Sequence, residues 1–252
     1  MNKIYACSDL HGMKELYEKI NNFIDDTDVV FFLGDAGDRG THPWETIKLI
    51  RNNPQFTYLK GNHEDMLVKT MKDYIRGVDK YGDGDPRETF RYNKNFQLLA
   101  WNGGGPTFYG WIEDGADPEW IAYLENLPEY KLYTNANGKS ILLSHAGLTP
   151  CPDENNEKSC DLDWYDLLWD RDHLLDDWNK EFENTIVVHG HTPIPSMNKY
   201  AWHAPAAVNG VVTYCDGHKI NIDNGAFHTQ MTTLLDLDIL EGHLFYCDNL
   251  LD

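Results

Sequence analysis

Side chains able to hold a metal ion recur in this sequence in five short clusters, each placed directly after an apolar run. They are Asp9 and His11 in SDLHG (8–12), Asp35 and Asp38 in GDAGDRG (34–40), Asn62 and His63 in GNHED (61–65), His145 in LSHAG (143–147) and His191 in VHGHT (188–192). An aspartate and a histidine separated by one residue lie on the same side of an extended loop, so Asp9 and His11 can hold one cation in common. Mixed nitrogen and oxygen donors suit Mn, Fe or Zn better than Ca or Mg. Asp35 ends the next apolar run and could bridge two cations with its two oxygens. Cations about 3.5–4 Å apart clamp a water-derived nucleophile and a phosphoryl oxygen together.

Each cluster alone has an ordinary reading. Gly-Asp is usually a turn, Gly-His-Thr a strand end, and Asn62 could simply cap a helix. Their shared position after apolar runs is what argues for a metal site.

The elements that must position these residues alternate. Residues 3–7 are a short apolar strand, followed by a helix whose Met13, Leu16, Tyr17, Ile20, Phe23 and Ile24 recur at helical spacing. A second strand, 29–33, leads through a loop to a helix opened by Pro43 and carrying Trp44, Ile47 and Ile50. A third strand, 56–59, ends at the Asn62 cluster and another helix. Three strand–loop–helix units in a row predict an α/β architecture, in which sites gather beyond the carboxyl ends of the strands. Residues 73–110 break the rhythm and read as an insertion near the site, with a Gly/Asp-rich tract at 81–86, a helix over 88–101 and a tight turn at Gly103–Gly105. From residue 130 the pattern turns to strands: 130–134 and 140–144 flank Asn137-Gly138, 211–215 and 219–222 flank Asp216-Gly217, and 231–237 and 243–247 follow. Neither a repeat nor a low-complexity linker divides the 252 residues, which read as a single domain.

A net charge of -20 and a pI near 4.7 repel nucleic-acid backbones and anionic membranes. No apolar stretch approaches the roughly 20 residues that span a bilayer. The five cysteines, Cys7, Cys151, Cys160, Cys215 and Cys247, are odd in number and scattered, which predicts reduced thiols in a cytoplasmic protein. Trp101, Tyr109, Trp111, Trp164, Tyr165, Tyr200 and Trp202 read as core or loop packing rather than base-stacking platforms. His42, His173, His189, His203, His218, His228 and His243 read as structural or surface residues.

The clusters together resemble the signature of the phosphoprotein phosphatase branch of the metallophosphoesterases: Asp9-Leu10-His11-Gly12, Gly34-Asp35 with Asp38-Arg39-Gly40, Gly61-Asn62-His63-Glu64, His145, and Gly190-His191-Thr192. The likeness runs from residue 3 to about residue 237. The segments at 168–171, 190–193 and 221–226 look most like the bacterial and phage proteins of that branch, with Asn224 where a threonine is common. The resemblance implies a four-layer α-β-β-α sandwich with two mixed β-sheets, and two divalent transition-metal ions, Mn²⁺ first, with Fe or Zn as alternatives. Asp9, His11 and Asp35 would hold the first metal; Asp35, Asn62, His145 and His191 the second. His63 would be the general acid, oriented by Asp38, and Arg39 and Arg171, together with Asn62, would contact the phosphoryl group. The implied activity is hydrolysis of phosphoserine or phosphothreonine monoesters, with phosphotyrosine as an extension, by a metal-bound hydroxide. Symmetrical cleavage of dinucleoside tetraphosphates would use the same residues. A catalytically silent scaffold would be expected to have lost ligands, and a phosphodiesterase or nuclease fits neither Asp38-Arg39-Gly40 nor the acidic charge. The expected partner is a phosphorylated protein or a small phosphoester.

Overall fold

In a computed structural model of the chain, residues 2–81, 92–148, 167–174, 184–199 and 205–248 are described. The first half alternates as the apolar spacing predicts: β1 (Ile4–Cys7), α1 (Lys14–Phe23), β2 (Val29–Phe32), α2 (Pro43–Asn52), β3 (Phe56–Tyr58) and α3 (Asn62–Tyr81). Three further helices follow, α4 (Lys94–Trp101), α5 (Gly105–Glu113) and α6 (Glu119–Glu125). The strand-rich half comprises β4 (Tyr130–Thr134), β5 (Ser140–Ser144), β6 (Thr185–His189), β7 (Val212–Tyr214), β8 (Lys219–Asn221), the short α7 (Ala226–Thr229), β9 (Met231–Asp236) and β10 (Glu241–Tyr246).

Two mixed sheets result, in the orders β10-β9-β1-β2-β3 and β4-β5-β6-β8-β7. In the first, β1, β2 and β3 are parallel and β9 joins β1 antiparallel; in the second, β5, β6 and β8 are parallel between antiparallel neighbours. Strand side chains alternate between faces, and here the alternation sorts the core. Tyr5, Cys7, Val30 and Phe32 turn toward α1–α6 and join one apolar cluster with Leu16, Ile20, Ile47, Phe108 and Trp111. The intervening Ala6, Phe31 and Leu33 meet Ile141, Leu143, Ile186, Val188 and Ile220 of the second sheet. The sheets are thus packed face to face. On the outer face of the second sheet the described residues supply Leu142, Val187 and Leu148, and separately Leu174, Met197 and Val212.

Several local expectations needed revision. The helix expected over 88–101 starts at Lys94, because Asn93 caps it by accepting from the Phe96 N–H at 3.0 Å. Its expected beginning and the tract at 82–86 lie outside the described residues, as do Cys151, Cys160, Trp164, Tyr165, Tyr200, Trp202 and His203. Helices α5 and α6 were not foreseen: Gly103–Gly105 masked the first, and the short length of the second gave little periodicity. Trp101 is 90% exposed, contrary to its reading as a core or loop packing residue, whereas Trp111 is fully buried. Among the described residues, no helix is long and apolar enough to cross a membrane.

Candidate active site

The five clusters meet because each follows the carboxyl end of a parallel strand: β1, β2 and β3 in one sheet, β5 and β6 in the other. The loops after β1 and β2 are laced by backbone bonds from Asp9 N to Gly34 O, His11 N to Asp35 O and Gly12 N to Ala36 O, at 3.1, 3.0 and 2.8 Å. That lacing holds an unusual backbone. Asp9, His11, Asp35, Asp38, Arg39 and His191 all have positive φ, from 44° to 67°. Such a conformation costs a non-glycine residue roughly 1–3 kcal/mol and concentrates at functional sites. The second sheet is tied in by the His191 N–H, which donates to Asp9 Oδ2 at 3.1 Å, and by Gly190, where a Cβ would come within 2.1 Å of that same oxygen.

The imidazole tautomers follow from the acceptors around them. His11 Nδ1 faces the Gly37 carbonyl at 3.0 Å, and His145 Nδ1 the Leu33 carbonyl at 2.8 Å. His191 instead turns Nε2 to the Trp169 carbonyl at 3.1 Å. A carbonyl can only accept, so each of these nitrogens carries the proton and, in the neutral ring, the other nitrogen is bare. The bare atoms converge. Asn62 Oδ1 lies 2.9 Å from His145 Nε2 and 3.1 Å from His191 Nδ1, and those two nitrogens are 3.2 Å apart. Three lone-pair atoms turned on one another with no proton between them form a set that a divalent cation fits.

Asp35 stands at the centre. Its Oδ2 is 3.4 Å from His145 Nε2, 3.6 Å from His11 Nε2 and 3.7 Å from His63 Nε2, while its Oδ1 accepts the His63 backbone N–H at 3.1 Å. Oδ2 thus faces both groups of donors, while Oδ1 accepts from the first turn of α3. Asp9 Oδ1 is 3.9 Å from His11 Nε2. Donor atoms of Asp9, Asp35 and His145, and of His11, Asp35 and His63, each lie within 4.8 Å of one another. Distance alone does not separate His63 from a ligand. What distinguishes it is a carboxylate partner: Nδ1 meets Asp38 Oδ2 at 2.5 Å, while Nε2 lies 2.9 Å from Arg39 Nη2. Arg39 also places Nη1 2.7 Å from His11 Nε2.

All these carboxylates and imidazoles are buried. Burial pushes Asp9 up, pushes Asp35 well up with help from the charges of Glu64 and Asp9, and lifts Asp38 to about 7 against the pull of Thr107 and Arg39. Burial likewise drives His11, His63 and His191 well below the usual imidazole range, with Arg39 adding to it at His11 and His63. Burial thus pushes Asp9, Asp35, Asp38, His11, His63 and His191 toward their neutral forms, and a bound cation would favour the carboxylates' charge. Arg171 is half-buried on the loop whose Trp169 carbonyl holds His191, and its charge is felt at His191 and Asp223.

Four residues of the site went unassigned in the sequence reading. Ser8 donates to Asp9 Oδ2, and the carboxyl of Asp223 is pushed well up by burial and by the charge of Asp9. Thr107, on α5, touches Asp38. Glu64 does the most. Its carboxylate accepts from Asp35 N and Gly61 N at 2.8 Å, from Ala36 N at 3.0 Å and from the Tyr58 hydroxyl at 2.6 Å. Reaching back from α3 to the Gly61 N–H is the return half of a capping box, for which a Glu three residues after Gly61 is the sequence signal. Glu64→Gln puts an amide donor against at least one of these N–H groups. We expect urea denaturation to show a loss of about 2–4 kcal/mol; unchanged stability would mean that the other acceptors suffice. His228, which read as a structural or surface residue, is exposed.

Residues 2–222 match the family model for the calcineurin-like phosphoesterases. Two curated relatives are both called Serine/threonine-protein phosphatase 2. The one from Salmonella typhimurium is 27% identical over 180 residues, covering 68% of this chain and 69% of the relative. The one from Escherichia coli is 26% identical over 208 residues, covering 79% and 83%. Among solved structures, a protein described as a diadenosine tetraphosphatase aligns over 98% of this chain and 95% of its own with a TM-score of 0.58 at 13% identity. A metallophosphoesterase from Sphaerobacter thermophilus aligns over 98% and 89% with a TM-score of 0.54 at 17% identity. At such identities the two structures speak for the fold: paired mixed sheets with loops converging at one edge. With a family model spanning nearly the whole chain and buried metal-type donors brought together at that edge, the chain belongs to the calcineurin-like phosphoesterase family and is a metallophosphoesterase.

Proposed function

We propose that this chain is a protein phosphatase that hydrolyses phosphoserine and phosphothreonine monoesters at a two-cation centre. The observation that carries the reading is the convergence of bare donor atoms on Asp35 Oδ2 beside a His63–Asp38 pair and a guanidinium. Asp9, His11 and Asp35 would hold one cation, and Asp35, Asn62, His145 and His191 the other. Mn²⁺ suits this mixed nitrogen and oxygen set, with Fe and Zn as alternatives. When bound, the pair would supply Lewis-acid polarisation of the phosphoryl group and acidification of water.

The remaining chemistry belongs to the chain's own side chains. With Nδ1–H directed at Asp38 Oδ2, the His63 ring presents Nε2 to the site, where a proton can pass to the departing alkoxide oxygen. Asp38, next to that ring, favours its protonated form once substrate charge is present. Arg39 offers a planar fork that matches two phosphoryl oxygens, which a lysine would not. That fork reaches His11 Nε2 and His63 Nε2, which sets it at the edge of the donor set beside the proposed acid. Arg171 approaches from the loop that holds His191 and would complete the grip on the phosphoryl group. These contacts strengthen as charge builds on the transferring group.

The protein-phosphatase reading draws on the names of the two bacterial relatives. One observation favours the alternative, dinucleoside tetraphosphate cleavage: Trp101, 90% exposed, immediately precedes Asn102, whose carbonyl accepts from Arg39 Nε at 3.3 Å, and an indole there could stack on a base. Hydrolysis of a phosphoserine peptide and of diadenosine tetraphosphate should be compared at matched enzyme with added Mn²⁺. The expected result is a kcat/KM at least about tenfold higher on the peptide; a preference for the dinucleotide would overturn the reading. The chain is expected to form one catalytic domain, with residues 73–110 inserted near its site.

A further inference from the structure

The turn between α4 and α5 touches two members of the proposed machinery at once. The Gly103 carbonyl accepts from Arg39 N at 3.0 Å, and the Asn102 carbonyl accepts from Arg39 Nε at 3.3 Å. Two residues into α5, the Thr107 hydroxyl accepts from Asp38 N at 2.9 Å and donates to Asp38 Oδ1. Thr107 and Asp38 are both buried, so neither bond competes with water.

The glycines between them permit this approach. A Cβ on Gly103, whose φ is 91°, would lie 2.8 Å from Arg39 Cγ, and one on Gly104 would lie 2.6 Å from Asp38 Oδ2. Side chains there would push directly on both residues.

From these contacts we infer that residues 102–107 are a positioning clamp for the reaction, in which Thr107 sets the rotamer of Asp38 and thereby aims His63. With Oδ1 occupied by the Thr107 hydroxyl, Asp38 keeps Oδ2 for His63 Nδ1, and the ring is held with Nε2 toward the site. The adjoining carbonyls fix the root and Nε of Arg39, so proton donor and phosphate fork are held in register by one turn. This gives part of the segment read as an insertion a catalytic purpose. Thr107 is a positioning residue, since it acts through Asp38. The inference rests on the reading of His63 as the general acid.

Thr107→Val keeps the shape and removes the hydroxyl, while Thr107→Ser keeps the hydroxyl. The Val variant should lose roughly 10–100-fold in kcat on a phosphoserine peptide, with KM little changed. On p-nitrophenyl phosphate, whose leaving group needs no proton, it should lose less than about twofold. Ser should restore most of the alkyl-phosphate rate. Metal content should match wild type, and the downfield Nδ1–H resonance of His63 in the proton NMR spectrum should shift or vanish in Val and return in Ser. Equal losses on both substrates, or an unmoved His63 resonance with an unchanged rate ratio, would overturn the inference. The parallel variant His63→Asn separates the two claims. If it is selective for the alkyl substrate and Thr107→Val is not, the clamp alone fails; if it is not selective, acid and clamp fall together.

Discussion

Asp35→Asn is expected to empty both cation sites and to lower turnover by more than about 100-fold, the upper end of what losing a supporting partner of a metal site costs. The reason lies in how the carboxylate is divided. Its Oδ1 is committed to the His63 backbone N–H, and its Oδ2 sits within 3.4 to 3.6 Å of the bare nitrogens of His145 and His11. An asparagine can keep the first contact, but it then points an amide NH₂ at two lone pairs. Hydrogen bonds to His11 and His145 would take the place of the ions. Because burial and the neighbouring charges of Glu64 and Asp9 already push the Asp35 carboxyl well up, the neutral amide should also make the metal-free fold more stable than wild type. Elemental analysis and thermal melts of the stripped protein read both effects. Two tightly bound metals in the variant would remove Asp35 from the bridging role.

His63→Asn should separate substrates by leaving group. On a phosphoserine peptide, whose alkoxide must be protonated as it departs, the expected loss is about 10²–10⁴-fold. On an aryl phosphate the loss should be far smaller. Metal content should stay near wild type, since the ring is held through Nδ1 by the Asp38 carboxylate at 2.5 Å, a partner suited to a proton donor. This outcome matters because His63 also lies within ligand distance of His11 and Asp35. Equal losses on both substrates together with a fall in bound metal would make it a ligand, and the acid would have to be sought elsewhere.

What could be read from the sequence was what local pattern encodes. The strand–loop–helix rhythm from Ile4 to Asn62 is written in apolar runs and helical spacing, and the donor clusters follow strands directly, so both could be placed. The hairpin of β4 and β5 was visible in Asn137-Gly138. Contacts made by residues far apart in the chain were not visible. Nothing around Thr107 marks it as the partner of Asp38, 69 residues earlier, and the Trp169 carbonyl that fixes the His191 tautomer has no side-chain signature at all. Glu64 lay inside a recognised motif, but its hold on Asp35, Ala36 and Gly61 depends on β2 and β3 being neighbours in the sheet. Trp101 was misjudged because aromatic residues are usually buried, and only the placement of α4 shows this one facing water. The division of labour between the two Asp35 oxygens likewise depends on α3 beginning at Asn62.

The central claim is that turnover requires two cations held by this donor set, and metal stoichiometry tests it most directly. The protein is stripped with a chelator, then titrated with Mn²⁺ while bound metal and hydrolysis of a phosphoserine peptide are followed together. The account predicts no turnover in the stripped protein and activity that returns as occupancy approaches two ions per chain. Full turnover by protein shown to be metal-free, or full activity at one ion per chain with no further uptake, would contradict it.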